Sequence, residues 1–166
     1  ISAGSEGVLF LPYMAGERSP IWNPYAKGVF YGLDFTKTRA HFYRAAMEGV
    51  AYSLRHNLEI AAQAGAPVTQ LHAMGGAANS KLWTQIKSDV TDLPIRSAKS
   101  DMATTLGAAM LAGVATGVYK DYAQAVQQTV NMERSYVPNE ENSSVYERGF
   151  CDYLKLYSQL ETLMHG

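Results

Sequence analysis

The sequence is poor in cysteine, histidine and net charge, and each shortage argues against a class of function. Its one cysteine, Cys151, cannot form a disulfide within the chain, which indicates a reducing, cytoplasmic setting. The four histidines are scattered without the spacing of metal ligands, so we expect no metal site in this chain. A formal net charge of −1 provides no electrostatic attraction for nucleic acid or for a membrane surface.

Long apolar runs are missing as well. No stretch approaches the roughly 18 to 20 apolar residues that a transmembrane helix needs, and we expect no secretory signal. Because the first residue is Ile1 rather than Met, we expect a partial or trimmed chain. The 166 residues are 47% hydrophobic, which is enough for one domain with a substantial core.

Short apolar segments that alternate with turns and helices predict an α/β fold. Residues 7–13 and 28–33 are strand candidates near the start of the chain. Residues 68–74 and 94–98 are two more, and a predicted helix over residues 80–91 lies between them. This strand–helix–strand order favours parallel strands joined by a right-handed crossover.

A long amphipathic helix is predicted over residues 39–64, where apolar residues recur at steps of three and four and Gly65 ends the pattern. Glu48 interrupts its apolar face. The preferred interpretation of Glu48 is a carboxylate on the helix surface that pairs with Arg44 or Arg55. The alternative is a residue that faces a cleft.

Three further helices are predicted toward the end of the chain. Residues 104–115 are rich in alanine and glycine, which predicts unusually close packing against neighbouring elements. Residues 121–130 form the next helix, and a polar loop through residues 138–142 follows. The last helix is expected over residues 145–163. It carries a stripe of large apolar residues that we expect to pack on the domain, namely Tyr146, Phe150, Tyr153, Leu154, Tyr157 and Leu160.

The turn that follows residues 68–74 is the strongest candidate for a binding site. Gly75 and Gly76 can adopt positive φ and allow another group to approach the backbone, and Asn79 or Ser80 can cap the next helix. Open backbone N–H groups at a helix N-terminus suit a phosphate or the polar edge of a nucleotide. Ordinary turn chemistry is the alternative explanation of the glycine pair.

Several motifs accompany this turn in a fixed order. They are residues 10–20 (FLPYMAGERSP), 23–33 (NPYAKGVFYGL), 75–80 (GGAANS) with Trp83, Gln85 and Asp89, and 105–113 (TLGAAMLAG). Together they resemble the C-terminal domain of the FGGY carbohydrate kinases over nearly the whole chain. The two upstream motifs look most like the xylulokinase and gluconokinase branches of that family.

The resemblance implies an actin-like ATPase fold of the ribonuclease H-like kind, with a mixed sheet flanked by helices. On this basis residues 1–166 form the nucleotide-side domain of a sugar kinase that uses ATP and Mg²⁺. The absent N-terminal domain would hold the sugar, most of the Mg²⁺ ligands and the catalytic aspartate, so no catalytic residue is assigned to this chain and the chain alone is expected to be inactive. D-xylulose is the preferred substrate, and gluconate or another pentulose is the alternative.

The resemblance also implies which residues of the turn lie against ATP. Gly75, Gly76, Ala77, Asn79 and Ser80 are expected beside the adenine and ribose, with Gly76 closest to them. Ser80 stands where glycerol kinases commonly carry an asparagine that hydrogen-bonds the base, and its side chain is shorter than that of asparagine.

A second departure from the family pattern lies ahead of the 105–113 motif. Met102 stands where the family usually has a glutamate, and Asp101 is the neighbouring acid that could replace it. A hypothesis of a different class is that the isolated domain is an inactive binding or assembly module, and a homodimer is left open. Exposed apolar area or an unpaired sheet edge would favour this second hypothesis.

Overall fold

The computed structural model describes residues 1–98 and 103–165 of the chain. Its strands and helices are, in order, β1 (Leu9–Pro12), β2 (Gly28–Tyr31), α1 (Arg39–Gln63), β3 (Leu71–Ala73), α2 (Lys81–Thr91), β4 (Ile95–Ala98), α3 (Ala103–Ala115), α4 (Tyr122–Thr129), β5 (Met132–Tyr136) and α5 (Glu140–Met164), with short 3₁₀ helices at Ser5–Gly7 and Gly76–Asn79.

The described strands form two small sheets. β1 and β2 are antiparallel, with Leu9 opposite Tyr31. The second sheet has the order β3-β4-β5, in which β3 and β4 are parallel and β4 and β5 are antiparallel. Because α2 connects the two parallel strands, the predicted strand–helix–strand unit and the α/β class with a mixed sheet are confirmed.

The core lies where α1, α2, α5 and β1 pack together. The aromatic stripe of α5 faces this core as predicted, since Tyr146, Phe150 and Tyr153 are buried. The hydroxyl oxygens of Tyr153 and Tyr13 are 2.6 Å apart. Burial raises the pKa of Tyr153 to about 12 even though the hydrogen bond from Tyr13 acts in the opposite direction, so the side chain stays neutral across the physiological range.

The expectation that Glu48 is a surface carboxylate is wrong. Its Oε1 accepts a hydrogen bond from Arg44 Nε at 2.8 Å, as predicted, but the residue is only 2% exposed. The backbone N–H of Gly4 (3.0 Å), the hydroxyl of Ser5 (2.6 Å) and the hydroxyl of Tyr146 (3.1 Å) also donate to this carboxylate. The start of the chain and α5 cover this face of α1, and their donors satisfy the buried charge.

Two expectations for the C-terminal part are also wrong. Residues 132–136 form β5, where a polar loop was expected, because β4 supplies hydrogen-bond partners to a segment whose side chains alternate between exposed and at least half-buried. The loop expected over residues 138–142 ends early, since α5 begins at Glu140. Asn139 caps this helix with its side-chain oxygen, which accepts from Glu141 N at 3.1 Å, and the acidic Glu140 and Glu141 suit a helix N-terminus.

The small-residue helix α3 is formed as expected but is packed loosely. Within the described part of the chain, α3 buries none of its residues and packs mainly on α4. Close approach occurs only locally, at Gly113, where a Cβ atom would lie 2.6 Å from the ring of Tyr119. The predicted close packing of the whole helix is therefore not observed.

Candidate functional site

The predicted site residues form one continuous turn between β3 and α2. Gly75 has φ +81° and ψ 179°, in the region that favours glycine. The 3₁₀ helix Gly76–Asn79 follows, and Ser80 leads into α2. A Cβ atom built on Gly76 would meet no atom of the described residues within 4 Å, so these residues leave the space above Gly76 open.

The backbone of the turn is exposed on one side and anchored on the other. Ala78 is buried, with 5% of its surface exposed, while Gly76, Ala77, Asn79 and Ser80 are exposed. The N–H of Ala78 donates to the carbonyl of Gly75 at 3.0 Å. The N–H groups of Gly76 and Ala77 stand at the opening of the 3₁₀ helix, where backbone geometry provides no partner within the helix. These two groups can therefore donate to a ligand.

Ser80 is the residue that caps α2. Its Oγ accepts a hydrogen bond from Trp83 N at 3.3 Å, and its carbonyl accepts from Thr84 N at 3.0 Å. Of the two caps that the sequence allowed, the structure selects Ser80. The capping bond uses the hydroxyl oxygen as an acceptor, so its proton remains available to a neighbouring acceptor.

The motif residues on α2 position the turn and do not line it. The indole Nε1 of Trp83 donates to the carbonyl of Met47 on α1 at 3.2 Å. The ammonium of Lys87 lies over the Trp83 ring, 4.1 Å from the ring centre, and burial lowers the pKa of Lys87. These contacts hold the first half of α2 against α1.

The second half of α2 is held by Asp89, which is buried. Its Oδ1 accepts from the side chain of Gln85 at 2.7 Å and from the backbone of Asn139 at 3.0 Å. Its Oδ2 accepts from the side chain of Asn142 at 2.9 Å. The carboxylate thereby ties α2 to the first turn of α5, a role that sequence reasoning did not assign to it.

A cavity lies beside the end of β4 at Ala98 and reaches α3 of the 105–113 motif. This cavity of about 340 Å³ is lined by Met74, which precedes the turn, and by Leu106 of α3. Asp101 and Met102, the positions at which the chain departs from the family pattern, lie outside the described residues.

Two kinds of feature are not found in the part of the chain that the structure describes. Residues 1–98 and 103–165 contain no group of three or more histidine, cysteine, aspartate or glutamate side chains placed to hold a metal ion. None of the helices formed by these residues is long and apolar enough to cross a bilayer.

This arrangement of strands, turn and helices occurs in solved kinase structures. The xylulose kinase of Rhodospirillum rubrum superposes with a TM-score of 0.85 and 30% sequence identity, covering 100% of this chain and 33% of that one. The fold is therefore the actin-like ATPase fold.

The sequence comparisons identify the family. The model of the FGGY family of carbohydrate kinases, C-terminal domain, matches residues 1–116. The chain belongs to this family.

Two curated relatives illustrate its range. A xylulose kinase of Staphylococcus epidermidis is 34% identical over 160 residues, which are 96% of this chain and 32% of the relative. A gluconokinase of Bacillus subtilis is 35% identical over 162 residues, which are 97% of this chain and 31% of the relative. The chain thus spans about a third of the length of the relatives it matches.

Proposed function

We propose that residues 1–166 are the nucleotide-side domain of a cytoplasmic, ATP-dependent sugar kinase. The full-length kinase transfers the γ-phosphate of ATP to a sugar hydroxyl. D-xylulose, converted to xylulose 5-phosphate, is the proposed substrate, and gluconate or another pentulose is the alternative, because relatives of both kinds are about equally similar. An N-terminal domain would supply the sugar site and the catalytic aspartate.

The open turn between β3 and α2 is the observation that carries this proposal. Gly75, Gly76, Ala77, Asn79 and Ser80 bind the adenine and ribose of ATP, and the N–H groups at the start of the 3₁₀ helix donate to the nucleotide. The described residues leave room above Gly76 for a planar base. Mg²⁺ enters with ATP and is held mainly by residues of the other domain.

The contribution of this chain is to orient ATP and to exclude water. Phosphoryl transfer depends on positioning and electrostatic stabilisation more than on covalent chemistry by the protein. Closure of the two domains brings the turn over the nucleotide and shields the γ-phosphate from hydrolysis. The chain by itself is then expected to phosphorylate nothing.

Calorimetric titration with MgATP tests the nucleotide site. We expect binding to appear or tighten when this chain is mixed with the N-terminal part of the full-length kinase. Gly76→Trp should weaken that binding by about tenfold or more, because the ring fills the open space above the turn. Ala64→Trp, which places the same ring at an exposed position at the end of α1, is the matched control and should bind like the wild type.

Two outcomes would contradict the nucleotide assignment. One is a folded mixture that binds no MgATP. The other is a Gly76→Trp variant that binds as tightly as Ala64→Trp. Neither outcome bears on the family, which rests on the whole-chain comparison.

The second candidate function is an assembly module, and two observations favour it. Helix α3 buries none of its residues within the described chain, and β3 has a described strand on one side only. Both surfaces could accept a second copy of the chain. Sizing of the isolated chain distinguishes the hypotheses, since a stable homodimer supports the module and a monomer that binds MgATP only with the N-terminal part supports the kinase.

A further inference from the structure

A long apolar groove runs beside α5, and its floor reaches the core at Tyr52. It encloses about 740 Å³. One wall is α5 itself, with Val145, Leu156 and Leu160, and the opposite wall is formed by Ala3, Leu9 and Tyr31. We call this feature the α5 groove. The proposed nucleotide site does not include it, because none of the turn residues 75–80 lines it.

The shape of the α5 groove matches an α-helix. Its lining on α5 extends over residues 145–160, a length of roughly 22 Å at 1.5 Å per residue. The lining positions recur at steps of three and four, so they form one face of α5. A second helix of about four turns would lie along this face, as in other helix-in-groove complexes.

Part of the opposite wall is a left-handed turn, of which Gly4, Glu6 and Gly7 line the groove. The φ angles of Gly4, Ser5, Glu6 and Gly7 are +80°, +49°, +50° and +88°. For the two residues that are not glycine, this conformation costs about 1–2 kcal/mol each. The buried carboxylate of Glu48 holds the turn through Gly4 N and the Ser5 hydroxyl. These hydrogen bonds hold this part of the wall in place within the domain itself.

The rim of the groove carries charges of both signs. Glu6 and Asp152 are acidic, and Arg148 and Lys155 are basic. This balance gives no preference for a polyanion such as a nucleotide or a nucleic acid. It suits an amphipathic helix with an apolar face and mixed charges at its edges.

We propose that the α5 groove receives an amphipathic helix from the rest of the full-length kinase. This inference rests on the proposed function. The relatives are about three times as long as this chain, and the matched model is a C-terminal domain, so the rest of a longer family member joins this domain at its N-terminal side. Ala3 and Gly4 line the groove on that side, and Arg44 Nη1 holds the carbonyl of Ile1 at 3.0 Å.

Adjacent residues of α5 provide matched variants for the test. Gln159 and Asp152 line the groove, whereas Ser158 and Cys151 do not, and all four are exposed. Gln159→Trp and Asp152→Trp place a large ring in the groove without touching the core. Ser158→Trp and Cys151→Trp add the same ring outside it. Thermal melts confirm that each variant is folded.

Calorimetry without nucleotide measures assembly with the N-terminal part of the full-length kinase. We expect Gln159→Trp and Asp152→Trp to weaken assembly by about tenfold and the two control variants to stay within about twofold of the wild type. Equal affinities for groove and control variants would overturn the inference, as would the lack of any complex. Self-association of the isolated chain that Gln159→Trp abolishes would also overturn it, because a second copy would then occupy the groove.

Nucleotide binding is measured separately on the same samples. If Gln159→Trp weakens assembly but the mixture binds no MgATP, the result would support the groove and contradict the nucleotide site. If neither groove variant changes the affinity of assembly but the mixture does bind MgATP, the result would contradict the groove and support the nucleotide site.

Discussion

His56 lies on α1 with its ring edge-on to Phe150, and the two ring centres are 6.3 Å apart. Its Nδ1 atom is buried and has no hydrogen-bond partner within the part of the chain described by the structure. Burial lowers the pKa of His56 below its ordinary value of 6.5, and the carboxylates of Glu59 and Glu17 oppose this effect only in part. The folded chain therefore favours the neutral imidazole.

The lowered pKa of His56 predicts a loss of stability in acid. Below pH 6.5 the unfolded chain binds the proton more readily than the folded chain, so the free energy of unfolding falls as the pH falls through this window and is fully retained above it. Urea unfolding at about pH 7.5 and about pH 5.5 should show a smaller loss for His56→Gln than for the wild type. His72→Gln, at an exposed histidine, is the control, and equal losses in the wild type and both variants would contradict the prediction.

Single residues show clearly what local sequence can predict. A glycine with positive φ and a helix cap at Asn79 or Ser80 were expected in the turn between β3 and α2, and the structure has them at Gly75 and Ser80. The pairing of Glu48 with Arg44 was expected too, because the two residues are one helical turn apart. The burial of Glu48 was not, since its other donors are 44 residues away at Gly4 and 98 away at Tyr146.

Two glycines that lie inside helices differ in how closely other atoms surround them. A Cβ atom on Gly49 of α1 would clash with the carbonyl oxygen of Phe10, whereas one on Gly107 of α3 would meet no atom of the described residues within 4 Å. Gly49→Ala should destabilise the fold by about 2 kcal/mol or more, because β1 must move away from α1. Gly107→Ala should stabilise it by up to about 1 kcal/mol through helix propensity.

Denaturant unfolding of the two alanine variants checks this difference. A stability of Gly49→Ala equal to that of the wild type would show that α1 and β1 are not in close contact. A destabilised Gly107→Ala would show that α3 is packed more tightly than described. Both variants add one methyl group to a helix, so the difference between their free energies of unfolding reports how closely each position is packed.

The elements with a strong period were found from that period, whereas β5 was missed. The 3.6-residue pattern of α1 and the aromatic stripe of α5 were sufficient to find both helices. β5 was missed because Glu133, Arg134 and Ser135 make the segment look like a polar loop. Its alternating burial is a period-2 signal, but five residues are too few for it to outweigh the composition.

The molecule as a whole divides into a well-packed part and a loosely packed part. Helix α1 buries six of its residues, including Ala45 and Tyr52, and α3 buries none among those described. Local unfolding is easier where few apolar contacts must be broken. We expect the amides of α3 to exchange with solvent at least about tenfold faster than those in the middle of α1.

Hydrogen–deuterium exchange followed by mass spectrometry measures this difference. Peptides from α5 provide the internal reference, because α5 packs on the same core as α1. Equal protection of α3 and α1 would contradict the description of α3 as loosely packed. Protection of α3 that appears only at high protein concentration would indicate self-association and favour the assembly module.

The sequence by itself determined the strand–turn–helix unit around Gly75, the two long helices and the family. Each of these depends on consecutive residues, whose spacing and conformational preferences are present before the chain folds. Only the tertiary structure decided the burial of Glu48, the pairing of β5 with β4 and the shape of the α5 groove. These features depend on contacts between residues far apart in the chain, and no local pattern specifies which distant surface a residue will meet.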